Sequence, residues 1–469
     1  GVPMQRDTNQ YIYRQLYNHL KSDMLASKYE SHEKLPSKRN MAKHMNVSVN
    51  SVKAAYEQLL AEGYIYTEER KGYFVEPLDK LIINPDAQNL RTSYESAAEI
   101  NYDYSFSHMS TDISEFPIDI WTKLTKRVFQ DYDHYLSSIP NVKGPIELRQ
   151  SIAKLVSYQR GVQCHPEQII IGSGTNTLLM KLIQLMSENV RIAVENPGYS
   201  RFRDILKQTH TQMAPISLDN KGISIEGIKN AQPDAIIVTP SHQFPMGTIM
   251  PVSRRISLLN WASKTQSYII EDDYDSEFKY ETDNIPSLFS FDKNERVIYL
   301  GTFSKTLMPA LRISYMILPT KLVGKFEAQN QSAIPDFSIL NALTLNLLIK
   351  DGYYEKHLKK MHQIYGKKRA SLIEQLEMIF DENIDIKDTQ AGLHFIIEVV
   401  SPYSYEEIES RAKEYKLELY TINRFNVTAL QNNSERKILI IGFSKIEQQQ
   451  IPDAVQRLKK VINASSGTI

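Results

Sequence analysis

One stretch of this chain decides how the rest is interpreted: Ile298-Tyr-Leu-Gly-Thr-Phe-Ser-Lys-Thr-Leu-Met-Pro-Ala-Leu-Arg-Ile-Ser-Tyr315. A β-rich apolar run, residues 297–300, ends in a turn of small residues that presents Lys305. Hydroxyls at Thr302 and Ser304 precede this lysine, and Arg312 follows it seven residues later. Lysine bonds covalently to aldehyde cofactors, whereas hydroxyls, backbone N–H groups and guanidinium groups bind phosphate. The stretch predicts pyridoxal 5′-phosphate (PLP) on Lys305, although a lone turn lysine is most often a solvated surface residue.

The composition is that of an ordinary globular protein. The 469 residues, 42% hydrophobic and 23% charged, suffice for two or three domains with a large core. The formal net charge is zero, so any surface that binds nucleic acid must be local. A single cysteine, Cys164, excludes an internal disulfide framework and fits a reducing cytoplasm. We find no signal-peptide pattern and no uninterrupted apolar run of ~18 residues, so we expect a cytoplasmic protein without a membrane partner.

Periodicity and capping signals divide the first eighty residues into three helices and a hairpin. Apolar residues recur every four positions in the first helix, Ser37 can cap the second, and Gly63 can end the third. The predicted elements are helices at residues 9–26, 37–44 and 49–62 and strands at residues 64–67 and 73–75. A helix, a helix–turn–helix and a hairpin together describe a winged helix.

A local basic window lies within this winged helix. Residues 34–56 contain no acidic residue and five basic ones: Lys34, Lys38, Arg39, Lys43 and Lys53. On an otherwise neutral chain, such a window attracts a phosphate backbone. Asn50, Ser51 and Lys53 stand near the N-terminus of the third helix, the end that enters a major groove in helix–turn–helix proteins. The alternative is a small helical packing domain with a solvated basic face.

The same region resembles the winged helix of the GntR family of bacterial regulators. The resemblance rests on Leu35-Pro-Ser-Lys-Arg-Asn-Met-Ala, Asn46-Val-Ser-Val-Asn-Ser-Val-Lys-Ala-Ala-Tyr, Leu60-Ala-Glu-Gly-Tyr and Arg70-Lys-Gly-Tyr-Phe-Val. It implies that double-stranded operator DNA is contacted by Ser37, Lys38, Arg39, Ser48, Asn50, Ser51 and Lys53 and, at the wing tip, by Lys71 and Gly72. Many members of the family carry arginine where this chain has Val49, so the chain lacks a guanidinium able to reach guanine. The operator sequence therefore cannot be inherited from the family.

Residues 77–102 show no convincing periodicity and predict an interdomain linker. At roughly 25 residues, the segment is long for a loop within a domain. A tether of this length lets the DNA-binding head lie over the body of a partner subunit; alternatively, it is partly ordered against its own body. The predicted domains are a winged helix at 4–76 and a body at 103–465, with a smaller α/β subdomain at about 353–465.

From residue 104 onward, helices alternate with short β-branched runs. The predicted strands are 168–171, 191–194, 235–238, 268–271 and 297–300, with helices such as 176–187 and 253–264 between them. This alternation predicts an α/β sheet whose chemistry lies at the C-terminal ends of its strands. The predicted fold class is multidomain, with a winged helix-turn-helix head and an α/β body.

Two turns after these strands carry candidate ligand-binding groups. Gly172-Ser-Gly-Thr-Asn-Thr opens a helix, where small residues and the helix dipole favour a phosphate. Glu195-Asn-Pro-Gly-Tyr-Ser-Arg offers Tyr199 for stacking on a flat cofactor ring and Arg201 for bidentate binding of a carboxylate. Taken alone, a glycine-rich turn is weak evidence, and Tyr199 is equally interpreted as a surface tyrosine.

Two later turns add further candidates. In Thr239-Pro-Ser-His-Gln-Phe-Pro-Met-Gly, His242 or Gln243 can hydrogen-bond a phenolic oxygen or serve as scaffold of the turn. The strand at 268–271 ends in acids. Beside a PLP lysine, the carboxylate of Asp272 keeps the pyridine nitrogen protonated, and Tyr274 can donate to the ring O3′. An isolated acidic turn would instead be solvated or metal-binding, and here we expect no metal.

The order of these turns resembles fold-type I PLP enzymes, the aspartate aminotransferase class, over about residues 103–465. The cofactor positions that the resemblance implies are Gly174, Thr175, Asn176, Tyr199, Gln243, Asp272, Tyr274, Thr302, Ser304, Lys305 and Arg312. Gln243 departs from the class, which usually has the asparagine of Asn-Pro-x-Gly there, and Phe244 is inserted before the proline. Arg424 matches the arginine that binds the α-carboxylate; the alternative is a surface arginine.

Together, the two halves resemble the MocR regulators. The motifs Ser105-Phe-Ser-His-Met-Ser and Ser241-His-Gln-Phe-Pro further resemble the GabR branch. The resemblance implies a transcriptional regulator that holds PLP on Lys305 and senses an amino-acid-type effector, similar to γ-aminobutyrate (GABA), by aldimine exchange. Arg201 and Arg424 would hold the effector carboxylate.

The same resemblance implies how such a regulator acts. It implies a homodimer, joined head to tail, that activates a metabolic operon, represses its own gene and contacts RNA polymerase at the nucleoid. It implies at most residual transaminase activity. Two alternatives stay open: a sensor of PLP itself that controls vitamin B6 synthesis genes, and a working aminotransferase with a DNA-binding head.

Overall fold

The computed structural model describes residues 11–91, 94–428 and 434–463, and the chain divides into two units between Ala98 and Glu99. Each unit has its own hydrophobic core. Residues 4–10, which include the predicted start of the first helix, and residues 464–465 at the predicted end of the body lie outside the described residues. The exact bounds of the head, linker and body stay predictions.

The N-terminal unit is the winged helix that the sequence predicts. Its helices are Ile12–Leu25, Lys38–Met45 and Val49–Ala61, its hairpin strands are Ile65–Glu68 and Gly72–Val75, and a short helix, Pro85–Arg91, follows. Leu16, Leu20 and Met24 of the first helix are buried in one core with Tyr56 of the third. The four-residue spacing of the apolar side chains places them on one helix face and so sets this packing.

Side-chain caps fix where two of these helices begin. The Ser37 hydroxyl accepts a hydrogen bond from the backbone N–H of Asn40 at 3.1 Å, and the Ser48 hydroxyl accepts one from Ser51 at 3.0 Å. Between the two helices, Asn46 adopts the left-handed conformation with a φ of 53°. Each cap satisfies a backbone donor that a helix start leaves free, so these local bonds define the helix–turn–helix.

The short helix Pro85–Arg91 departs from the prediction that the linker has no periodic structure. The Asn84 side chain accepts a bond from the backbone N–H of Asp86 at 3.0 Å and so starts the helix. None of its seven residues is buried. A helix without a buried face leaves no apolar period in the sequence, so periodicity could not reveal it.

An eight-stranded sheet forms the centre of the C-terminal unit. Six strands run parallel, whereas Ser314–Ile317 and the edge strand Gly222–Ile223 run antiparallel to their neighbours. In spatial order, the strands are Ile169–Gly172, Ser314–Ile317, Val297–Thr302, Tyr268–Asp273, Ala235–Val238, Arg191–Asn196, Gln212–Asp219 and Gly222–Ile223. All five predicted strands lie in this sheet, and the predicted α/β class is confirmed.

Helices cover both faces of this sheet. Ile170 enters one core, whereas its neighbours Ile169 and Ile171 enter another, as the alternation of side chains along a strand requires. The helices here are Ile118–Asp131, Asp133–Leu136, Ile146–Arg160, Thr175–Leu185, Ser200–Gln208, Ile225–Ala231, Val252–Thr265, Leu288–Phe291, Thr320–Gln329 and Ile339–Lys350, with 3₁₀ turns at Pro166–Gln168 and Pro309–Leu311.

A smaller α/β part follows in the sequence. Its antiparallel strands, in spatial order, are Ile384–Lys387, His394–Val400, Arg436–Gly442 and Tyr420–Thr421. Its helices are Tyr353–Phe380, Tyr405–Glu414 and Ile451–Ile462, with 3₁₀ turns at Asp381–Asn383, Ile422–Phe425 and Gln448–Gln450. The strand Tyr104–Ser105 pairs in parallel with Leu417–Glu418. Across the described residues, no helix is long and apolar enough to cross a membrane.

Candidate functional site

The predicted turns meet at one edge of the large sheet. Leu300, close to the end of the strand that precedes Lys305, lies beside Asp272 in the parallel register. Gly174 and Tyr199 are the N-cap residues of the helices that follow two other parallel strands. Because the carboxyl ends of parallel strands point to the same edge, these residues surround one site.

Lys305 is a part-buried amine with an altered pKa. Loss of hydration lowers the pKa of Lys305 to about 8, although the charge of Asp275 acts in the opposite direction. The Nζ atom donates a hydrogen bond to the backbone carbonyl of His108. Just before it, the hydroxyl of Thr302 donates to the hydroxyl of Ser304 at 3.1 Å. A lysine with this pKa is partly neutral at neutral pH, which is the form that attacks an aldehyde.

The predicted phosphate-binding groups form a cradle at Gly174. A Cβ atom added to this glycine would lie 2.8 Å from Nη2 of Arg312, so the guanidinium packs directly over the glycine. Thr175 and Asn176 are the first two residues of the helix Thr175–Leu185. The first backbone N–H groups of a helix have no partner within it and favour an anion. The guanidinium and the helix start together suit a phosphate.

Both faces of the Tyr199 ring are covered. The Phe244 ring stacks on it with a centroid distance of 3.8 Å and an interplanar angle of 5°. The guanidinium carbon of Arg201 lies 4.0 Å from the same centroid. Two groups at these distances would overlap on one face, so they lie on opposite faces. The predicted stacking of Tyr199 on a cofactor ring therefore requires Phe244 or Arg201 to move.

Arg201 contacts the carboxylate that was predicted to face the pyridine nitrogen. Its Nη2 lies 3.5 Å from Oδ2 of Asp272. Burial raises the pKa of Asp272 to about 6, and the positive charge of Arg201 opposes this rise. Arg201 Nε makes no hydrogen bond to any described residue. The guanidinium thus rests on Tyr199 and Asp272, the two groups predicted to hold the cofactor ring.

Gln243 braces its own turn through both atoms of its side-chain amide. Its Nε2 donates to the carbonyls of Pro197 at 3.1 Å and Phe244 at 2.6 Å, and its Oε1 accepts from the backbone N–H of Met246 at 2.8 Å. Both amide atoms are engaged. These bonds give Gln243 a structural role in its turn, and its contact with the cofactor stays a prediction.

Sequence reasoning named His242 and Tyr274 separately and missed the buried polar group that they form with Asp275 and His394. The Tyr274 hydroxyl donates to the backbone carbonyl of His242 at 2.7 Å, and His242 Nδ1 lies 2.9 Å from Oδ1 of Asp275. Burial raises the pKa of Asp275, but the charge and hydrogen bond of His242 outweigh it and hold the pKa below its usual value. His394 lies 4.7 Å from His242, ring to ring, and no sequence signal links it to this turn.

The two predicted effector arginines come from different parts of the chain, and the charges of both act on His108. Burial holds the pKa of the His108 ring well below its usual value, and the charges of Lys305, Arg201 and Arg424 act in the same direction. Arg424 is exposed and stacks on Tyr420 at 4.6 Å. His108 is a second residue that the sequence did not single out, since it lies 197 positions from Lys305.

The residues present fit PLP. Arg312 and Gly174 form a cradle for a phosphate, Lys305 offers the amine, and Asp272 Oδ2 receives no hydrogen bond from the described residues. When bound, PLP supplies an aldehyde carbon that exchanges amines and a ring that accepts electrons. Asp272 would face the ring nitrogen, with Arg201 beside it.

The predicted DNA contacts with long or amide side chains lie on the surface of the N-terminal unit. Arg39, Asn50 and Lys53 are exposed on the second and third helices. Lys71 is exposed in the turn of the hairpin, directly before Gly72, which has a φ of 113°. These side chains are therefore accessible to DNA, while the contacts themselves stay predictions.

The predicted serine contacts also have structural roles. Ser37 and Ser48 cap the two helices, and the Ser48 and Ser51 hydroxyls lie 2.9 Å apart in a hydrogen bond. The ammonium of Lys38 lies 5.9 Å from the ring of Tyr73, so this side chain leans against the hairpin. A change at Ser37 or Ser48 therefore alters helix stability as well as any bond to DNA.

Comparisons with known proteins cover both units. The family model for aminotransferase class I and II matches residues 107–458, and that for bacterial regulatory proteins of the gntR family matches residues 12–75. The uncharacterized HTH-type transcriptional regulator YdeL of Bacillus subtilis (strain 168) is 39% identical over 96% of this chain and 96% of its own. The probable rhizopine catabolism regulatory protein MocR of Rhizobium meliloti is 28% identical over 99% and 97%. The kynurenine aminotransferase of Pyrococcus horikoshii has a similar fold, with a TM-score of 0.68 over 81% of this chain and 95% of its own at 22% identity.

The chain belongs to the aminotransferase class I and II family and carries a GntR-type DNA-binding domain. Within that class it is a MocR-type regulator: a PLP-dependent transcriptional regulator of the GntR family with an aminotransferase-like domain. The predicted regulator class, cofactor and DNA-binding role are confirmed. The GabR branch stays a prediction.

Proposed function

We propose that the C-terminal unit senses a GABA-like amino acid and that the bound effector controls how the N-terminal unit binds operator DNA. The observation that carries the proposal is the packing around His108. Its backbone carbonyl accepts a hydrogen bond from Lys305, and its ring lies 5.3 Å from that of Tyr420, on which Arg424 stacks. Arg201 packs on Tyr199, whose other face stacks on Phe244, and the Phe244 ring lies 4.9 Å from that of His108. A ligand with one amine and one carboxylate matches this set, because its amine can exchange with Lys305 while guanidinium groups bind its carboxylate.

The proposal extends to assembly and regulation. We propose a head-to-tail homodimer, as the resemblance to the MocR regulators implies. Three apolar side chains of the C-terminal unit that are 57–75% exposed, Ile118, Phe129 and Ile139, are accessible to a second copy. Two heads would then bind two half-sites of one operator. The dimer would activate a metabolic operon through RNA polymerase and repress its own gene.

A titration of operator DNA tests the effector. Fluorescence anisotropy with a labelled operator fragment is measured with PLP alone and then with a panel of α- and ω-amino acids. We expect an ω-amino acid to change the operator affinity of the wild type and to have no effect on Arg424→Ala. Arg436→Ala is the matched control, because Arg436 is exposed and pairs with Glu398 at 3.0 Å, on a different strand. An unchanged response in Arg201→Ala and Arg424→Ala would refute the carboxylate assignment.

One observation also favours a second function, the sensing of PLP itself. Phe244 covers one face of Tyr199, and Arg201, which also contacts Asp272, covers the other, so the arrival of the cofactor ring must move one of these side chains even without an effector. PLP alone could therefore alter the C-terminal unit. If PLP without any amino acid changes operator affinity fully, and no amino acid adds to the change, this second function replaces the first.

A further inference from the structure

The segment that contains His108 is bonded to the chain at two places beside the cofactor site. We call residues 104–112 the strap. The backbone carbonyl of His108 accepts a hydrogen bond from Lys305 Nζ. The hydroxyl of Thr111 donates to the backbone carbonyl of Ser304 at 2.9 Å. The strap is therefore bonded both to the cofactor lysine and to the residue before it.

The other side of the strap is bonded to the smaller α/β part. The backbone N–H of Gly442 donates to the carbonyl of Phe106 at 2.9 Å, and the hydroxyl of Ser444 donates to the carbonyl of Ser110 at 2.5 Å. Residues 99–103 precede the strap directly and lead along the chain toward the N-terminal unit. A shift of the strap would thus reach both the smaller part and the connection to the head.

Aromatic packing limits how freely the centre of the strap moves. The ring of His108 lies 4.9 Å from that of Phe244, 5.3 Å from Tyr420 and 5.4 Å from Phe425. Close-packed groups of this kind change between discrete arrangements instead of deforming gradually. A hydrogen bond made or lost at the His108 carbonyl therefore changes how the surrounding rings pack.

Lys305 can donate fully to this carbonyl only as a free amine. When an effector amine replaces Lys305 on the cofactor, one C–N bond forms as the bond to Lys305 breaks. The protons that leave the effector nitrogen end on Nζ of Lys305, and nothing is oxidised or reduced. Lys305 therefore has two or three N–H groups after the exchange and at most one before it.

We propose that the backbone carbonyl of His108 is the acceptor that captures Lys305 once the effector has displaced it, and that the strap passes this change on. The inference rests on the proposed function and describes how effector binding at the same site would change the rest of the C-terminal unit. His108 is thus a positioning residue. The hydrogen bond to its carbonyl depends on whether the cofactor is bonded to the nitrogen of Lys305 or to that of the effector.

Two substitutions at Lys305 isolate this hydrogen bond. Lys305→Gln and Lys305→Met both prevent the covalent link, but only glutamine keeps an N–H donor, one bond closer to the backbone. We expect the operator affinity of Lys305→Gln to match that of the wild type with PLP and effector. Lys305→Met is expected to match the wild type with PLP alone, a difference of about fivefold or more. Equal affinities of the two variants overturn the inference.

Loss of a strap bond gives a second test. Thr111→Val removes the bond to the Ser304 carbonyl, whereas Thr122→Val is the matched control, because its hydroxyl bonds only within its own helix, to Ile118. We expect Thr111→Val to keep PLP absorbance and effector-induced spectral change but to lose most of the change in operator affinity. Equal responses in both threonine variants contradict the inference.

Measurements on the wild type distinguish failure of the proposed function from failure of the strap mechanism alone. If the wild type shows no effector response at all, the proposed function fails and the inference fails with it. If the wild type responds while Lys305→Gln equals Lys305→Met and Thr111→Val responds normally, the strap mechanism alone is refuted. Melting temperatures of each variant confirm that an altered response is not a folding defect.

Discussion

The two units place their functional groups in opposite environments. In the N-terminal unit, the predicted DNA contacts Arg39, Asn50 and Lys53 are exposed and stand apart from the buried core. In the C-terminal unit, Asp272 is buried and the pKa of Lys305 is lowered to about 8. A surface site acts through charge in water, which salt screens, whereas a buried site acts through altered protonation and exact contacts.

Substitutions at the exposed site and at the buried site should have different effects. Removing an exposed basic residue changes DNA affinity with little effect on stability, because water replaces the lost contact. Removing a buried charged group changes ligand binding and local packing together, because its partners are left without compensation. The two units should therefore respond differently to substitutions, salt and pH.

The largest expected effect is that of Lys305→Ala. Without the amine, the C-terminal unit cannot link PLP covalently, so the visible absorbance of the linked cofactor and the effector response should both vanish. The wild type should also be stabilised by PLP, by about 2.7 kcal/mol at a hundredfold excess over Kd, and the variant much less. Absorbance and thermal-denaturation measurements with PLP check this. Full retention of the visible band in the variant would contradict the role of Lys305.

The capture of PLP should depend on pH around the altered pKa of Lys305. Burial disfavours the ammonium and lowers its pKa to about 8, and only the neutral amine reacts. The rate should therefore rise about tenfold per pH unit below pH 8 and level off above it. Stopped-flow absorbance from pH 6 to about 10 measures the profile, with Lys305→Ala subtracting reactions at surface lysines. A rate that still rises tenfold per unit above pH 9 would show an unperturbed lysine.

On the surface of the head, Arg39→Ala and Lys53→Ala should each weaken operator binding by roughly tenfold, equal to about 1.4 kcal/mol. A lost phosphate contact should also reduce the slope of log affinity against log salt by about one. PLP binding should not change. Lys360→Ala is the control, an exposed lysine of the C-terminal unit that pairs with Glu115 at 2.7 Å. Equal losses in Lys360→Ala would place the DNA surface elsewhere.

The smallest expected effect is that of removing one helix cap in each unit. Ser48→Ala removes the cap of the third helix and should destabilise the N-terminal unit by about 1 kcal/mol. Ser404→Ala removes a cap of the same kind in the C-terminal unit, where the hydroxyl accepts from Glu407 at 3.1 Å. Hydrogen exchange should show faster opening in the head for the first variant and in the body for the second. Faster opening of both units in either variant would mean that the units unfold together.

The elements of both units could be predicted where their signals are local. The four-residue period of Leu16, Leu20 and Met24, the serine caps and the β-branched runs each depend on neighbours within one turn or strand. The helix Pro85–Arg91 could not be predicted in this way, because none of its residues is buried and its sequence therefore has no apolar period. Cofactor groups at the strand ends could be predicted as well, since parallel strands bring them to one edge.

The sequence by itself determined the winged helix, the α/β body and the types of group at the site, because periods, caps and strand ends are encoded within a few residues. Only the tertiary structure decided that Arg201 rests on Tyr199 and Asp272, that Gln243 braces its own turn, and that Lys305 meets the carbonyl of His108. Such contacts join residues from different strands and turns, and the last pair lies 197 positions apart. The packing of the whole unit determines these contacts, and no local sequence pattern predicts them.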